Sequence, residues 1–443
     1  MRGRLAMAAG LALLALLALA PAALAQGRAR FDTRVLALVP KPGYPAHAYV
    51  HPNGRIYAGT YSNPSGDTVP SRVFEYTGDG ALLRSWTVEG QDLTQSHGVQ
   101  AATSDARGRI VLLDKSPPRI VLLDRGTGAQ IPYASFAPPA IPNYAAWGPD
   151  GSLYVTDYGQ PILWRVPPGG GTPEPWLQDA RLEGAEFGTT GLELAPDRAS
   201  LLVAQQSEAG GAAGNPSTGR IFRVPIGAGG TPGAMTEFWE SLPVDGPDGF
   251  GIARSGNVYI ANLASNQLVV IGPDGREIER FPQAPLSGEN GSSVPFDAPS
   301  SVSFLGTRAI VAQQSYFSGD PAHQAILDVE TGEEGLPELI PAGAGLKDAV
   351  APRVKPASLS GRRLTLKLSE PAEVDFIVER RDGKRWVVLR RAFRNLGSGR
   401  QALDLLTLAK KTKLRRALYR VTMYATDDAG NVSRPLTRIG RVR

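Results

Sequence analysis

Five side chains of the right types recur at one place in a repeated unit, and they define the chemistry open to this chain. Asp248 opens the stretch Pro247-Asp-Gly-Phe-Gly-Ile-Ala-Arg-Ser-Gly-Asn-Val-Tyr-Ile-Ala-Asn262, an acidic turn followed by two short apolar strands around a Ser-Gly-Asn turn. Asn143 and Thr190 stand at the same place in two other copies, and His47 and His97 fall near it in two more. One carboxylate among amide, hydroxyl and carbonyl oxygens suits a hard cation such as Ca²⁺. The same residue types also serve as turn residues that satisfy backbone donors, and spacing alone leaves both roles open. A histidine pair can act as general base and orienter for an attacking water, or be hydrogen-bonded in a wall. His51 and His323 fall on a hairpin turn and at the start of an outer strand and are read as structural. Phosphate-loop, HExxH zinc and Gly-x-Ser-x-Gly nucleophile motifs do not occur.

The elements that must position these residues are six hairpins, at residues 45–60, 97–114, 143–157, 190–206, 248–262 and 298–314. Their turn residues Gly54, Gly108, Gly151, Arg198, Gly256 and Gly306 lie 43 to 58 residues apart. That is the period of a four-stranded propeller blade with loop insertions. A third strand follows each hairpin, at residues 73–76, 119–123, 162–166, 220–224, 267–271 and 325–329, and a fourth closes most copies, as at 82–88 and 277–282. Residues 31–39 alternate in polarity and are expected to form the outermost strand of the sixth blade, closing the ring. The first strand of each blade lines the axis, so its opening residue faces one tunnel mouth. Counting eight residues back from each turn gives Ala46, Asn143, Thr190, Asp248 and Ala298, with His97 as the equivalent across a longer second turn. The Gly-, Ser- and Asn-rich insertions at 210–219 and 285–294 are expected to be surface loops.

Composition agrees with a turn-rich, mostly β protein: 443 residues, 51 Gly and 37 Pro, with no sustained helical periodicity after the first residues. Residues 1–25 read as a secretory signal, with Arg2 and Arg4, an apolar run over 6–20, and Ala23-Leu24-Ala25 as the cleavage site. No other run is long enough to span a bilayer. Export without a single cysteine excludes disulfides and thiolate chemistry and suits a secreted bacterial protein. From residue 349 onward there are 23 Lys+Arg against 8 Asp+Glu, a net +15 that leaves −10 for the rest of a chain of net +5. The basic part is either a solvated face or a surface for an anionic envelope polymer, and export argues against nucleic acid.

With these residues in view, the region of roughly residues 31–342 resembles the senescence marker protein/gluconolactonase (regucalcin-like) family. The resemblance rests on Gly246-Pro-Asp-Gly-Phe250 with Gly256-Asn-Val-Tyr-Ile260, and on Pro142-Asn143 with Pro149-Asp-Gly-Ser-Leu-Tyr-Val-Thr-Asp157. It implies a six-bladed propeller and a lactone or ester hydrolase with a divalent cation at the tunnel mouth. By resemblance Asp248 is a metal ligand beside the reacting water, and Asn143 contacts metal or substrate. The family's Glu ligand is replaced here by Ala46-His47, and its Asn-Gly by Thr190-Gly191. On this reading Asp248, Asn143 and Thr190 hold the cation, and His47 or His97 manages the proton. The alternative is a non-catalytic NHL-type propeller that binds a sugar-like or envelope ligand at the same mouth.

After a linker at 346–352, alternating segments at 363–368, 373–380, 385–391, 401–405 and 418–425 indicate a β-sandwich over residues 353–443. Tyr419-Arg-Val-Thr-Met-Tyr-Ala-Thr-Asp-Asp-Ala-Gly-Asn431 resembles the penultimate strand and turn of immunoglobulin or fibronectin type III-like modules. The expected protein is therefore all-β and monomeric: a leader at 1–25, a six-bladed propeller over 26–345, and a basic sandwich that serves as spacer or adhesion module.

Overall fold

The computed structural model describes residues 27–183, 188–207, 218–346, 352–410, 413–427 and 432–442. The expected leader, most of the 210–219 insertion, residues 347–351 of the linker and the turn at 428–431 lie outside the described residues.

Six four-stranded antiparallel sheets follow one another along the chain. Their innermost strands, Ala48–Val50, Val99–Ser104, Pro142–Trp147, Thr189–Leu194, Pro247–Ile252 and Pro299–Leu305, touch in a closed ring, each meeting the next and the last meeting the first. This is a six-bladed propeller around a central tunnel. The sixth blade borrows its outermost strand, Thr33–Leu38, from the start of the chain, paired antiparallel with Ala325–Glu330. The expected closing segment is thus in place.

Blades stack face to face, so both faces of the second strand of each blade are buried and its sequence is a largely apolar run, as in Ile110–Lys115 and Leu153–Asp157. Successive residues look to opposite neighbours. Val111 and Leu113 of the second blade pack with Leu153 and Val155 of the third. Ile110 and Leu112 turn the other way, to Tyr57 and Val73 of the first. Corresponding clusters join the third blade to the fourth, fourth to fifth, fifth to sixth and sixth to first. Each fully buried Val, Leu or Ile in these seams contributes roughly 1.5–3 kcal/mol relative to exposure. Outer strands such as Leu82–Thr87 are largely exposed.

In five blades a residue of positive φ, Gly54, Gly108, Gly151, Arg198 or Gly256, donates its N–H to the carbonyl three residues back. The sixth blade has a tighter turn, in which Leu305 pairs directly with Arg308 around Gly306-Thr307. At the opposite end of the inner strands, most blades carry a bulge. Asn143 and Tyr144 lie between the pairs Pro142 with Asp157 and Ala145 with Val155, and similar offsets occur at Thr190 and Gly191, at Asp248 and Gly249, and at Ser300. A bulge re-aims side chains, and here they are brought to the tunnel.

Beyond the sixth blade, residues 331–346 run as a strap across the far mouth. Gly335 N–H bonds Gly306 O at 3.0 Å, Leu336 N–H bonds Ile252 O at 2.8 Å, and Ala106 N–H reaches Ala344 O at 3.2 Å. The remaining strands form a three-stranded sheet, Val354–Ser360, Arg363–Leu368 and Gly399–Asp404, and a four-stranded sheet, Arg385–Leu396, Ala372–Asp382, Ala417–Thr426 and Leu436–Val442. Their inward residues, among them Leu364, Leu366, Phe376, Val421 and Met423, share one core, as a sandwich requires. Arg107 of the second blade pairs with Glu370 of the sandwich at 3.1 Å. Among the described residues no helix is long and apolar enough to cross a membrane.

A chain beginning at Val39 leaves the edge of Ala325–Glu330 unpaired and the ring open. Its thermal midpoint should fall by on the order of 5–10 °C or more, and a scan against the full chain under identical conditions checks this.

Candidate functional site

The bulges and the ring of inner strands bring Ala46, Asn143, Thr190 and Asp248 to one pocket of about 90 Å³, together with Gln100, Tyr61, Gln206 and Lys115. Two ring positions differ from the sequence-based count. The second turn has the same geometry as the others, so eight residues back from Gly108 is Gln100 and not His97. The short sixth turn moves the equivalent position to Ser300, and Ala298 instead bonds its N–H to Asn266 Oδ1 at 2.8 Å. His97 sits off the ring, with Nε2 2.8 Å from Val69 O and 3.0 Å from Asp67, and Nδ1 3.0 Å from Gln95 O. These oxygens raise its pKa against the opposing effect of burial. Held by two carbonyls and a carboxylate, His97 is not among the residues that line the Asp248 pocket.

Polar contacts link every neighbouring pair of blades near this mouth. Val99 N–H bonds Thr60 O at 2.9 Å, and Gln100 Nε2 donates to Asn143 Oδ1. Thr156 Oγ1 donates to Thr190 O at 2.9 Å, and Thr190 Oγ1 to Pro247 O at 3.2 Å. The Ala298 bond joins the fifth blade to the sixth, and Ser300 Oγ reaches Pro45 O at 3.4 Å to close the circle. One contact crosses the axis: Tyr144 of the third blade donates its hydroxyl to Ser300 O of the sixth at 2.5 Å. Gly249 makes room for it, because a Cβ there would lie 2.4 Å from Tyr144 Oη and 2.8 Å from Ser300 O.

Tyr144 is the one described residue that lines both the Asp248 pocket and a larger cavity of about 440 Å³ on the other side. It is the partition of the tunnel. His47 lies beyond it, its ring centroid 5.1 Å from that of Tyr144, and borders the larger cavity only. So His47 and Asp248 occupy different compartments. Burial lowers the His47 pKa to about 4, and its Nδ1 has no hydrogen-bond partner. His51 accepts Asn53 N–H at 3.1 Å on its turn and, like His47, borders the larger cavity with a buried ring nitrogen, Nε2, that has no partner, whereas His323 pairs with Asp297 at 2.9 Å.

Burial also dominates at Asp248, raising its carboxyl well above the usual range. Nearby Tyr144, Gln206 and the Gly249 N–H act in the opposite sense. Tyr144 has a single proton and gives it to Ser300 O, so its help to Asp248 is small. No cation stands among the influences on this carboxyl. Around it Gln206 Nε2, Gln100 Oε1 and the Tyr61 hydroxyl are buried and make no hydrogen bond of good geometry, although Gln206 lies near enough to act on Asp248 and Gln100 on Tyr61. Lys115 stands at the edge, its Nζ donating to Ser62 Oγ at 2.8 Å and lying 5.6 Å from the Tyr61 ring, with its pKa lowered by burial.

Among the described residues no three His, Asp or Glu side chains gather as a metal cage. The oxygens of Asp248, Gln100, Asn143 and Thr190 nevertheless form an all-oxygen set with one formal charge, whose unpartnered Gln100 Oε1 faces the pocket. That chemistry fits a weakly held hard cation. Gln100, Tyr144, Gln206, Tyr61 and Lys115 were missed in sequence. Only Gln100 had a signal, since the plain count of eight points to it.

No protein family profile and no curated protein matches the chain. Solved structures similar to it include regucalcin, a calcium-binding protein from Agrobacterium tumefaciens, at 17% identity and TM-score 0.48, covering 69% of this chain and 95% of that one. A gluconolactonase from Xanthomonas campestris matches at 17% identity and TM-score 0.42, covering 65% and 97%. Virginiamycin B lyase from Staphylococcus aureus, in a catalytically inactive form with quinupristin, matches at 15% identity and TM-score 0.45, covering 66% and 82%. At such identities residue roles rest on the geometry of this chain alone.

His47 sets a pH dependence. Its pKa is about 4 in the fold against 6.5 ordinarily, so below pH 6.5 the unfolded chain takes up a proton that the folded chain refuses. Stability should therefore fall as pH drops from 6.5 toward 4, by at most ~3 kcal/mol from this residue. Urea unfolding of wild type and His47→Gln at both ends of that window should show the difference shrinking in the variant.

Proposed function

We propose that the Asp248 mouth binds a small oxygen-rich carbonyl compound of the lactone or ester class and hydrolyses it. The observation that carries this reading is the Asp248 carboxyl itself, buried without a cationic partner in a pocket lined by Gln100, Gln206 and Tyr61, whose Oε1, Nε2 and hydroxyl respectively make no hydrogen bond of good geometry. A carboxyl raised by burial is suited to take a proton near neutral pH. In the proposed reaction Asp248 accepts a proton from water as its oxygen attacks the carbonyl carbon. The Gln206 amide and Lys115 donate to the oxygen that gains charge. The acyl C–O bond then breaks, and the proton on Asp248 passes to the leaving alkoxide. Asp248, Gln100, Asn143 and Thr190 would hold a divalent cation such as Ca²⁺, which when bound supplies Lewis-acid polarisation of the carbonyl.

A second reading, recognition of a sugar-like molecule without turnover, is favoured by Ala46, which leaves the ring a single acid. One experiment bears on both. With a single charge, Ca²⁺ affinity should be in the weak class of roughly 0.1–1 mM, read as a rise in thermal midpoint that Asp248→Asn abolishes. In chelator, Asp248→Asn should be the more stable protein at neutral pH. The Asp248 carboxyl is raised in the fold, so stability falls as pH rises from the ordinary carboxylate range through the raised value. A panel of lactones and aryl esters should show turnover that falls at least about a hundredfold in the variant. Ligand-induced stabilisation without turnover would establish the second reading, and no response to Ca²⁺ would remove the cation.

We further propose export through residues 1–25 and attachment of the basic sandwich to an anionic envelope polymer. The net +15 from residue 349 onward supports the latter. The immunoglobulin or fibronectin-like reading of that sandwich gains support from Tyr419, whose hydroxyl donates to Arg415 O at 3.1 Å, a corner tie of the kind such modules use. Cosedimentation with a polyanionic glycan should be strong at low salt and lost at about 0.5 M salt; retention at high salt would overturn an electrostatic attachment.

A further inference from the structure

The larger cavity, on the far side of Tyr144 from Asp248, has a chemistry of its own. Of the three acids that border it, Glu334 is exposed and pairs with Arg254 at 3.8 Å; the other two are Glu193, from the inner strand of the fourth blade, and Glu338, from the strap. Thr103 Oγ1 donates to Glu338 Oε1, and the Tyr49 hydroxyl donates to Oε2 at 3.1 Å, so the carboxyl is held in place by the first and second blades. Glu193 has no such tether, and it lies near enough to Glu338 to feel its charge. Arg198 and Arg254 also border the cavity, but both are exposed at its rim, and neither acts on Glu193 or Glu338. Among the described residues, then, neither carboxyl has a cationic partner.

A second observation points to a ligand. His47 is 7% exposed, borders this cavity, and its Nδ1 has no partner. A buried ring nitrogen left unpaired costs free energy that a guest can recover. The walls between these groups are apolar and aromatic, with Trp147, Ile252, Val302 and Phe304. The volume of about 440 Å³ falls within the range of small-molecule sites.

We propose that the far cavity is a second binding site, for a small primary alkylammonium with an apolar or aromatic body. An ammonium carries three donors and no acceptor. Glu193 and Glu338, close enough for the charge of one to act on the other, are the acceptors for its charge, and His47 Nδ1, in the tautomer that leaves it an acceptor, offers another on the wall of the same cavity. The aromatic walls then cover the body and offer π faces to the charge. A divalent metal fits less well, because no three acids or histidines gather there and the walls are largely apolar. Burial holds both carboxyls toward the neutral form, Glu338 at about 7 against the opposing hydrogen bonds from Thr103 and Tyr49, and the charge of Glu338 adds to the effect on Glu193. Glu338 also keeps exposed surface along the cavity, where water softens that effect. A bound ammonium reverses the balance by supplying the missing positive charge.

Calorimetric titration of the full-length protein with phenethylammonium chloride at mildly alkaline pH tests this. One saturable site is expected, with Glu193→Gln and Glu338→Gln each weakening binding by about tenfold or more. The neutral isostere 2-phenylethanol should bind at least about tenfold more weakly, a comparison that needs no variant. Asp248→Asn, on the other side of Tyr144, should leave affinity unchanged. Absence of saturable binding, equal binding of the alcohol, unchanged affinity in both Gln variants, or loss of binding in Asp248→Asn would each overturn the proposal. Failure here leaves the Asp248 reading standing, because that reading is tested at the opposite mouth.

Discussion

The structure of the tunnel depends on one hydrogen bond, from the Tyr144 hydroxyl across the axis to Ser300 O. A propeller of six blades has an open centre by construction, and here an aromatic side chain from the third blade closes it against the backbone of the sixth. The bond is possible only because the fifth blade carries Gly249 beside it, where a methyl group would strike both partners. A bulge in the third blade aims Tyr144 inward, and the rigid seams between blades fix the distance it must span. From that one partition follow two compartments with different chemistry, Asp248 in the smaller, and His47, Glu193 and Glu338 in the larger.

The seams and the mouth obey different rules. Between blades, alternate residues of each strand pack with opposite neighbours, so most apolar side chains belong to exactly two sheets and the ring is held by nonpolar contact. Around the Asp248 mouth the links are polar, running from Val99 through Gln100, Thr156, Thr190 and Ala298 to Ser300. Those side chains and backbone groups satisfy one another, which makes the unsatisfied atoms conspicuous. Gln100 Oε1, Gln206 Nε2 and the Tyr61 hydroxyl at the smaller cavity, and His47 Nδ1 and His51 Nε2 at the larger, are among the buried polar atoms without a partner; others, such as those of Asn262 and Tyr76, lie away from both cavities. Three carboxyls without cationic partners border the two cavities, buried Asp248 the smaller and the more accessible Glu193 and Glu338 the larger. Elsewhere the fold pairs its acids with arginines, as Arg280 with Asp245 at 2.8 Å or Arg119 with Asp114 at 2.8 Å, or surrounds them with neutral donors, as buried Asp157 with Ile141 N–H, Gly159 N–H, Gln160 and Trp164.

Much of the fold was legible because its signals are local. Hairpin turns, third strands and the closing segment at 31–39 can each be found from a dozen residues, and the ring position of Asp248, Asn143 and Thr190 follows from a constant distance to a turn. That count failed at Ala298 because two residues are missing from the sixth turn, and at His97 because a longer second turn was assumed where none exists. His47 was placed near the axis correctly, but on which side of Tyr144 it stands is a matter of side-chain direction after a bulge. Glu193 carried a weak signal, an acid within the apolar inner strand Thr190-Gly-Leu-Glu-Leu194. Glu338 carried none, since its position depends on a strap that crosses a mouth built by every blade. In the sandwich, alternation revealed the central strands but not Val354–Ser360 or Leu436–Val442.

The strand Thr33–Leu38 imposes an order on assembly. It is among the earliest parts of the propeller to be synthesised, yet its partner Ala325–Glu330 is almost three hundred residues away, with Val35 opposite Leu327. Blades one to five can each form from contiguous chain, but the sixth must wait with its outer strand already made. Until then the ring is an arc with two open ends, and Tyr144 has no Ser300 to reach. Loop closure over such a separation is slow compared with hairpin formation, and the outer edge of the sixth blade is closed by the most non-local strand pairing of the propeller.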